Sequence, residues 1–193
     1  MQKISEVLIS SVSPFQLLMG KLIGTVAVTL TLSILYLASA YYLTSRFGLA
    51  GAIEPSFYAW FLLLLILALF MFGSIFSAIG AVCSEIKDSQ SLMMPAVLTI
   101  VIPLFSVSAV INSPTSLFAT VLSLFPPATS TIMMLRIALP PGPPLWQILL
   151  SILLTGSFTI FCVAVAGKIF RIGILSQGQT PSYTRLLKWV FSK

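Results

Sequence analysis

Four stretches of this chain, residues 22–43, 57–82, 92–111 and 145–169, are each apolar over about the length a helix needs to cross a hydrocarbon core, roughly 20 residues. No other property constrains the fold as strongly. In lipid the backbone must satisfy its own hydrogen bonds, so stretches of this kind resolve into helices packed side by side. The expected fold is an all-α membrane protein with four transmembrane helices. Charge agrees: only 7% of the 193 residues are Asp, Glu, Lys or Arg, against about 25% for a soluble domain. Soluble globular folds, coiled coils and disorder are excluded.

A fifth apolar stretch, 115–139, is interrupted by Pro126 and Pro127. Each half holds about a dozen residues and rises only about 18 Å as a helix, too little to span. Charge decides how it is placed. With four crossings the termini share one side, and that side carries Lys3, Lys21, Lys87, Lys168, Arg171, Arg185, Lys188 and Lys193, eight of the ten basic residues. Arg46 and Arg136 are left opposite. The positive-inside rule puts both termini in the cytoplasm of a cell-membrane protein. Residues 115–139 then read as a re-entrant helical hairpin dipping from the external face, with Pro126 and Pro127 at its apex and Arg136 pinning it at the outer interface. A direct substrate contact is the other role open to Arg136. Tyr41, Tyr42, Tyr58, Trp60 and Trp146 all fall at the predicted outer boundary, where amphipathic rings prefer to lie.

The first 21 residues are amphipathic. Ile4, Val7, Leu8 and Val12 recur at helical spacing among Lys3, Glu6, Ser10 and Ser11. Ser13-Pro14 predicts an N-cap followed by proline at the first helical position, opening a helix that feeds the first span through Lys21. At the other end, Arg185, Lys188 and Lys193 alternate with Leu186, Leu187, Trp189 and Phe191, a basic segment suited to a headgroup surface. Basic residues thus follow membrane sidedness, and the expected contact is the lipid bilayer, with no nucleic acid.

Chemistry inside the spans is sparse. Histidine is absent, Cys83 and Cys162 are far apart, and Glu6, Glu54, Glu85 and Asp88 all lie outside the apolar stretches. Neither a catalytic constellation nor a metal cluster is readable, which argues against an intramembrane enzyme. Carriers driven by their own ion coupling usually hold ionisable groups at membrane depth, and no phosphate-binding Gly-rich loop occurs. Any uphill transport must draw its energy from another polypeptide. Hydroxyl and small residues recur four apart as Thr25, Thr29 and Ser33, as Gly73, Ser77 and Ala81, and as Ser151, Thr155 and Thr159, with Gly20 and Gly24 at the base of the first span. Such stripes serve close helix packing or a weakly polar translocation path.

The stretch from Ile4 to Lys21 resembles the cytoplasmic segment of ABC type-2 exporter permeases that carries the coupling helix. Phe125-Pro-Pro-Ala-Thr-Ser130 with Met133-Met-Leu-Arg-Ile-Ala138 resembles their external re-entrant helices. Pro143-Pro-Leu-Trp-Gln147 and Gly167-Lys-Ile-Phe-Arg-Ile-Gly-Ile-Leu175 resemble the start and end of their final helix. The nearest subgroup is the NatB-like sodium-extrusion permeases. The resemblance implies a permease subunit that exports substrate, sodium ions being the candidate, without an ATPase site of its own. It implies ATP–Mg on a separate cytoplasmic ATPase subunit, no cofactor on this chain, and a second permease half in a homo- or heterodimer. The coupling segment would be residues 1–21, with Lys3, Glu6, Val7, Ser10, Ser13, Pro14 and Lys21 as its contacts and lever, and residues 170–193 a cytoplasmic tail. Family members normally have six spans and a large extracellular domain between the first two, so this chain looks like a C-terminal part lacking those elements. A non-transporting membrane scaffold or assembly protein is the second reading.

Overall fold

The computed structural model describes residues 13–48, 54–83 and 86–175, and every regular element among them is helical. Seven helices follow in order: α1 (Pro14–Arg46), α2 (Pro55–Val82), α3 (Ile86–Phe105), α4 (Val107–Asn112), α5 (Leu117–Leu124), α6 (Pro126–Ala138) and α7 (Leu145–Leu175). Four helical segments, Pro14–Arg46, Pro55–Val82, Ser89–Asn112 and Leu145–Gly173, are long and apolar enough to cross a membrane.

The start of α1 is the one expected from Ser13-Pro14. Ser13 Oγ accepts from the Gln16 amide at 3.3 Å, and the Ser13 amide donates to Gln16 Oε1 at 3.0 Å, a reciprocal capping box with Pro14 in the first turn. With 33 residues α1 is about 50 Å long, well beyond a hydrocarbon core of about 30 Å. It therefore begins eight residues before the apolar stretch does, and Phe15, Leu18 and Lys21 belong to the same rigid rod as the span. The third crossing departs from the expected unbroken helix over 92–111. Pro95 and Pro103 interrupt its donor ladder, and the chain breaks at Ser106, whose amide turns back to the Pro103 carbonyl at 3.0 Å. The α5–α6 turn is at Phe125, and Pro126 and Pro127 are the first residues of α6, where their missing amides cost nothing.

Pairwise contacts fix the direction of each helix. Leu22 meets Gly73 and the Tyr41 ring meets Tyr58 at 6.4 Å, so α1 and α2 are antiparallel. Thr159 donates to the Leu67 carbonyl, and Gly173 abuts Val82, so α2 and α7 run parallel. Phe15 packs over Gly167, which brings the start of α1 and the end of α7 to the same end of the bundle. Lys21, Lys168 and Arg171 lie toward that end and Lys87 follows the α2 terminus there, whereas Arg46, Tyr58, Trp60 and Trp146 lie toward the other.

Three apolar clusters hold the helices. Leu18, Leu22, Ala78 and Ala166 pack at the Pro14 end, joined by Phe70 and Phe170. Leu64, Met133, Met134 and Ile148 pack toward the Glu54 end with Phe57 and Trp60. Val110, Ala119, Ala128 and Ile132 join α4, α5 and α6. Elsewhere large apolar side chains point outward, such as Leu32, Leu35, Phe105 and Leu153. That is costly in water and natural against acyl chains.

Candidate functional site

The most concentrated polar chemistry within the helices surrounds Arg136, on the last turn of α6. Its position follows from the hairpin. Ser130, one turn into α6, lies against the Leu64 carbonyl at 3.5 Å, well inside the bundle, while Ile137 packs with Phe57 and Trp60 at the start of α2. Thus α6 rises from mid-bundle to the Glu54 end beside α5. With 8 and 13 residues, α5 and α6 reach about 12 and 20 Å, so neither crosses.

Arg136 does not snorkel. It is 3% exposed, and its guanidinium is held from inside. Nε donates to the Pro114 carbonyl at 2.9 Å, Nη1 to Ser123 Oγ at 2.7 Å, and Nη2 to Thr120 Oγ1 at 3.3 Å and Gln147 Oε1 at 2.9 Å. One planar fork therefore ties the α4–α5 connection, both helices of the hairpin and the first turn of α7. Every partner is neutral. The four acceptors offset the cost of burying the charge. Arg136 thus bonds from inside the helix cluster to α5, α7 and the connection before α5.

The hydroxyl stripes separate into two kinds. Ser151, Thr155 and Thr159 are buried on the face of α7 that meets α2. Ser151 Oγ donates to the Ile148 carbonyl at 2.7 Å and Thr159 Oγ1 to the Leu67 carbonyl at 3.4 Å, while Thr155 Oγ1 has no partner. On α1, Thr25 is exposed and Thr29 and Ser33 half-buried. Thr25 and Thr29 bond back to the Lys21 and Thr25 carbonyls at 3.0 and 2.9 Å, leaving the helix complete on its own. Ser77 is buried and Gly73 lies under Leu22, as close packing requires. Gly20 and Gly24 have nothing within 4 Å of where a Cβ would stand, so among the described residues their motif packs against nothing.

Two close approaches were not singled out as packing positions in the sequence. A Cβ on Gly167 would lie 2.8 Å from the Phe15 ring, and one on Gly173 would lie 2.8 Å from Val82 Cγ2 and 3.1 Å from the Ala81 carbonyl oxygen. Of the expected coupling contacts, Ser13, Pro14 and Lys21 stand at the start of α1, whereas Lys3, Glu6, Val7 and Ser10 lie outside the described residues, as does the tail beyond Leu175. Among the described residues no three His, Cys, Asp or Glu side chains come together as a metal site needs.

These features define a multi-pass helical membrane protein. Residues 2–168 match the family described as ABC-2 family transporter protein, and the chain belongs to that family. It is similar to the uncharacterized protein YhaP of Bacillus subtilis (strain 168), 27% identical over 195 residues, covering 94% of this chain and 46% of that protein. It is also similar to the uncharacterized protein MJ1024 of Methanocaldococcus jannaschii, 23% identical over 191 residues, covering 99% of this chain and 47% of that one. The chain thus spans about half the length of the curated relatives it matches. No solved structure matches it.

Proposed function

We propose that this chain is membrane-spanning permease sequence of an ATP-binding cassette exporter, driven by ATP hydrolysed on a separate cytoplasmic subunit. Membership of the ABC-2 family over residues 2–168 carries this reading. The end of the bundle bearing Pro14, Lys21, Lys87, Lys168 and Arg171 faces the cytoplasm, as its excess of cations favours. The α5–α6 hairpin then enters from the outer face, fixed by Arg136.

In this reading residues 1–21 dock on the ATPase, with Lys3, Glu6, Val7 and Ser10 on the contact and Ser13 and Pro14 starting the lever. The lever is supported by the continuity of α1: the capping box at Ser13 and the span share one helix, so a displacement at its start reaches Thr25, Thr29 and Ser33 without an intervening joint. A second permease half, identical or different, covers the outward flank of α1, and those three hydroxyls face the passage between the halves. Sodium is the first substrate to test, on the likeness to sodium-extrusion permeases.

The decisive experiment co-expresses the chain with an ABC ATPase encoded in the same genome. The chain is expected to retain that ATPase through affinity purification, and Glu6→Lys to lose it. Retention unaffected by Glu6→Lys overturns the docking role of Glu6. Hydrolysis of ATP by the purified chain alone overturns the division of labour.

A further inference from the structure

We propose that the cleft at the Glu54 end of the bundle is a binding site for an organic ammonium ion, a primary amine carried on an apolar body. The cleft encloses about 440 Å³ between the start of α2, the end of α6 and the loop that leads into α7. That is the range of small-molecule sites. Its chemistry is one-sided. Glu54 supplies a carboxylate at the rim, oriented by a 3.1 Å hydrogen bond from Ser56 Oγ, and among the described residues no Lys or Arg lines the cleft. Phe57 and Trp60 contribute ring surfaces, and Ile137 and Ile148 an apolar floor.

The loop wall offers acceptors and withholds donors. Pro140, Pro141 and Pro143 have no amide hydrogen. The two amides between Ala138 and Pro143 in that wall are already committed, Leu139 to the Arg136 carbonyl at 3.3 Å and Gly142 to the Leu139 carbonyl at 2.8 Å. Glu54 is the one charged side chain among the described residues that line the cleft, and the nearby Arg136 guanidinium directs its N–H groups at Pro114, Ser123, Thr120 and Gln147. A carboxylate ligand would meet repulsion and few donors. An alkylammonium would meet Glu54, loop carbonyls and aromatic faces that attract cations.

The test uses the chain in lipid nanodiscs with Trp146→Phe and Trp189→Phe, leaving Trp60 as the single reporter of the three tryptophans. Protonated 2-phenylethylamine is expected to change Trp60 emission saturably above protein-free discs, and 3-phenylpropionate to give no saturable change. Glu54→Gln, and independently Ala138→Arg at the exposed cleft margin, are each expected to weaken amine binding by about tenfold, the scale of one charge-assisted hydrogen bond. Equilibrium dialysis of the amine against the chain with its tryptophans intact reads the same differences without the reporter substitutions. Equal binding of the amine and 3-phenylpropionate, or amine binding unchanged by both Glu54→Gln and Ala138→Arg, overturns the proposal. Binding is read without ATP, at the end opposite the proposed ATPase contact, so it stands or falls apart from the transport reading.

Discussion

At one end of the bundle a single buried guanidinium joins four neutral acceptors drawn from α5, α7 and the connection before α5; at the other, helices meet through missing side chains. Gly167 lies under Phe15, Gly173 against Val82 and the Ala81 backbone, and Gly73 under Leu22. The contrast matters because lipid removes the usual hydrophobic force between helices, leaving close packing and hydrogen bonds to hold them. A directional polar clasp in a low-dielectric interior specifies one arrangement and resists small shifts. Small-residue contacts depend on close approach yet impose no bond directions, so neighbouring rods can slide past one another at lower cost. In the transport reading above, the freer end is the one that receives the motor's motion, and the clasped end keeps the outer hairpin in place.

Breaking the clasp should have the largest effect. Arg136→Gln cannot reach all four acceptors, and each buried acceptor left unpaired costs about 1–3 kcal/mol, so the fold should lose about 3 kcal/mol or more. Arg136→Lys should fall between the two, because one ammonium cannot copy a planar fork. Equilibrium unfolding in mixed micelles measures both. A loss below about 1 kcal/mol for Arg136→Gln would mean that the hairpin is held by its apolar cluster alone.

At the opposite end the comparison predicts opposite signs for the same chemical change. Gly173→Ala drives a methyl group into Val82 and the Ala81 carbonyl, and overpacking of this kind costs about 1–3 kcal/mol. Gly20→Ala meets nothing within 4 Å and should stabilise the isolated chain by up to about 1 kcal/mol through helix propensity. The same unfolding assay on the two variants sharpens the distinction. A gain from Gly173→Ala would show that this end yields freely.

What was legible from sequence divides along the same physical line. Apolar length identified four potential crossings because the bilayer acts on a local, contiguous property. The Ser13 cap was also local, with both bonding partners three residues apart. The helix ends were less legible, since hydropathy marks where lipid stops and α1 simply continues through Lys21 and Gly20 to Pro14. Pro103 signalled a break in the third crossing, but the apolar run around it masked the interruption. The partners of Arg136 lie 11 to 22 residues away on other elements, so only tertiary structure could identify them. Gly20 and Gly24 form the better-known spacing and pack against nothing among the described residues, whereas the close contacts fall at Gly167 and Gly173. Spacing locates small residues on one helix face, but it does not say whether another helix is there.

The smallest predicted effect concerns the one buried hydroxyl among the described residues that neither kind of contact explains. Thr155 is fully buried between α7 and α2, and its Oγ1 has no hydrogen-bond partner, unlike Ser151 and Thr159 one turn to either side. Thr155→Val keeps the branched shape, replaces the unpaired hydroxyl with a methyl group and should stabilise the chain by about 1 kcal/mol. Ser151→Ala and Thr159→Val instead remove hydrogen bonds and should not produce that gain. If Thr155→Val destabilises the fold while leaving its helicity intact, the hydroxyl has a bonding role in the membrane-embedded protein, and the α2–α7 seam would then resemble the Arg136 end more closely than its apolar contacts suggest.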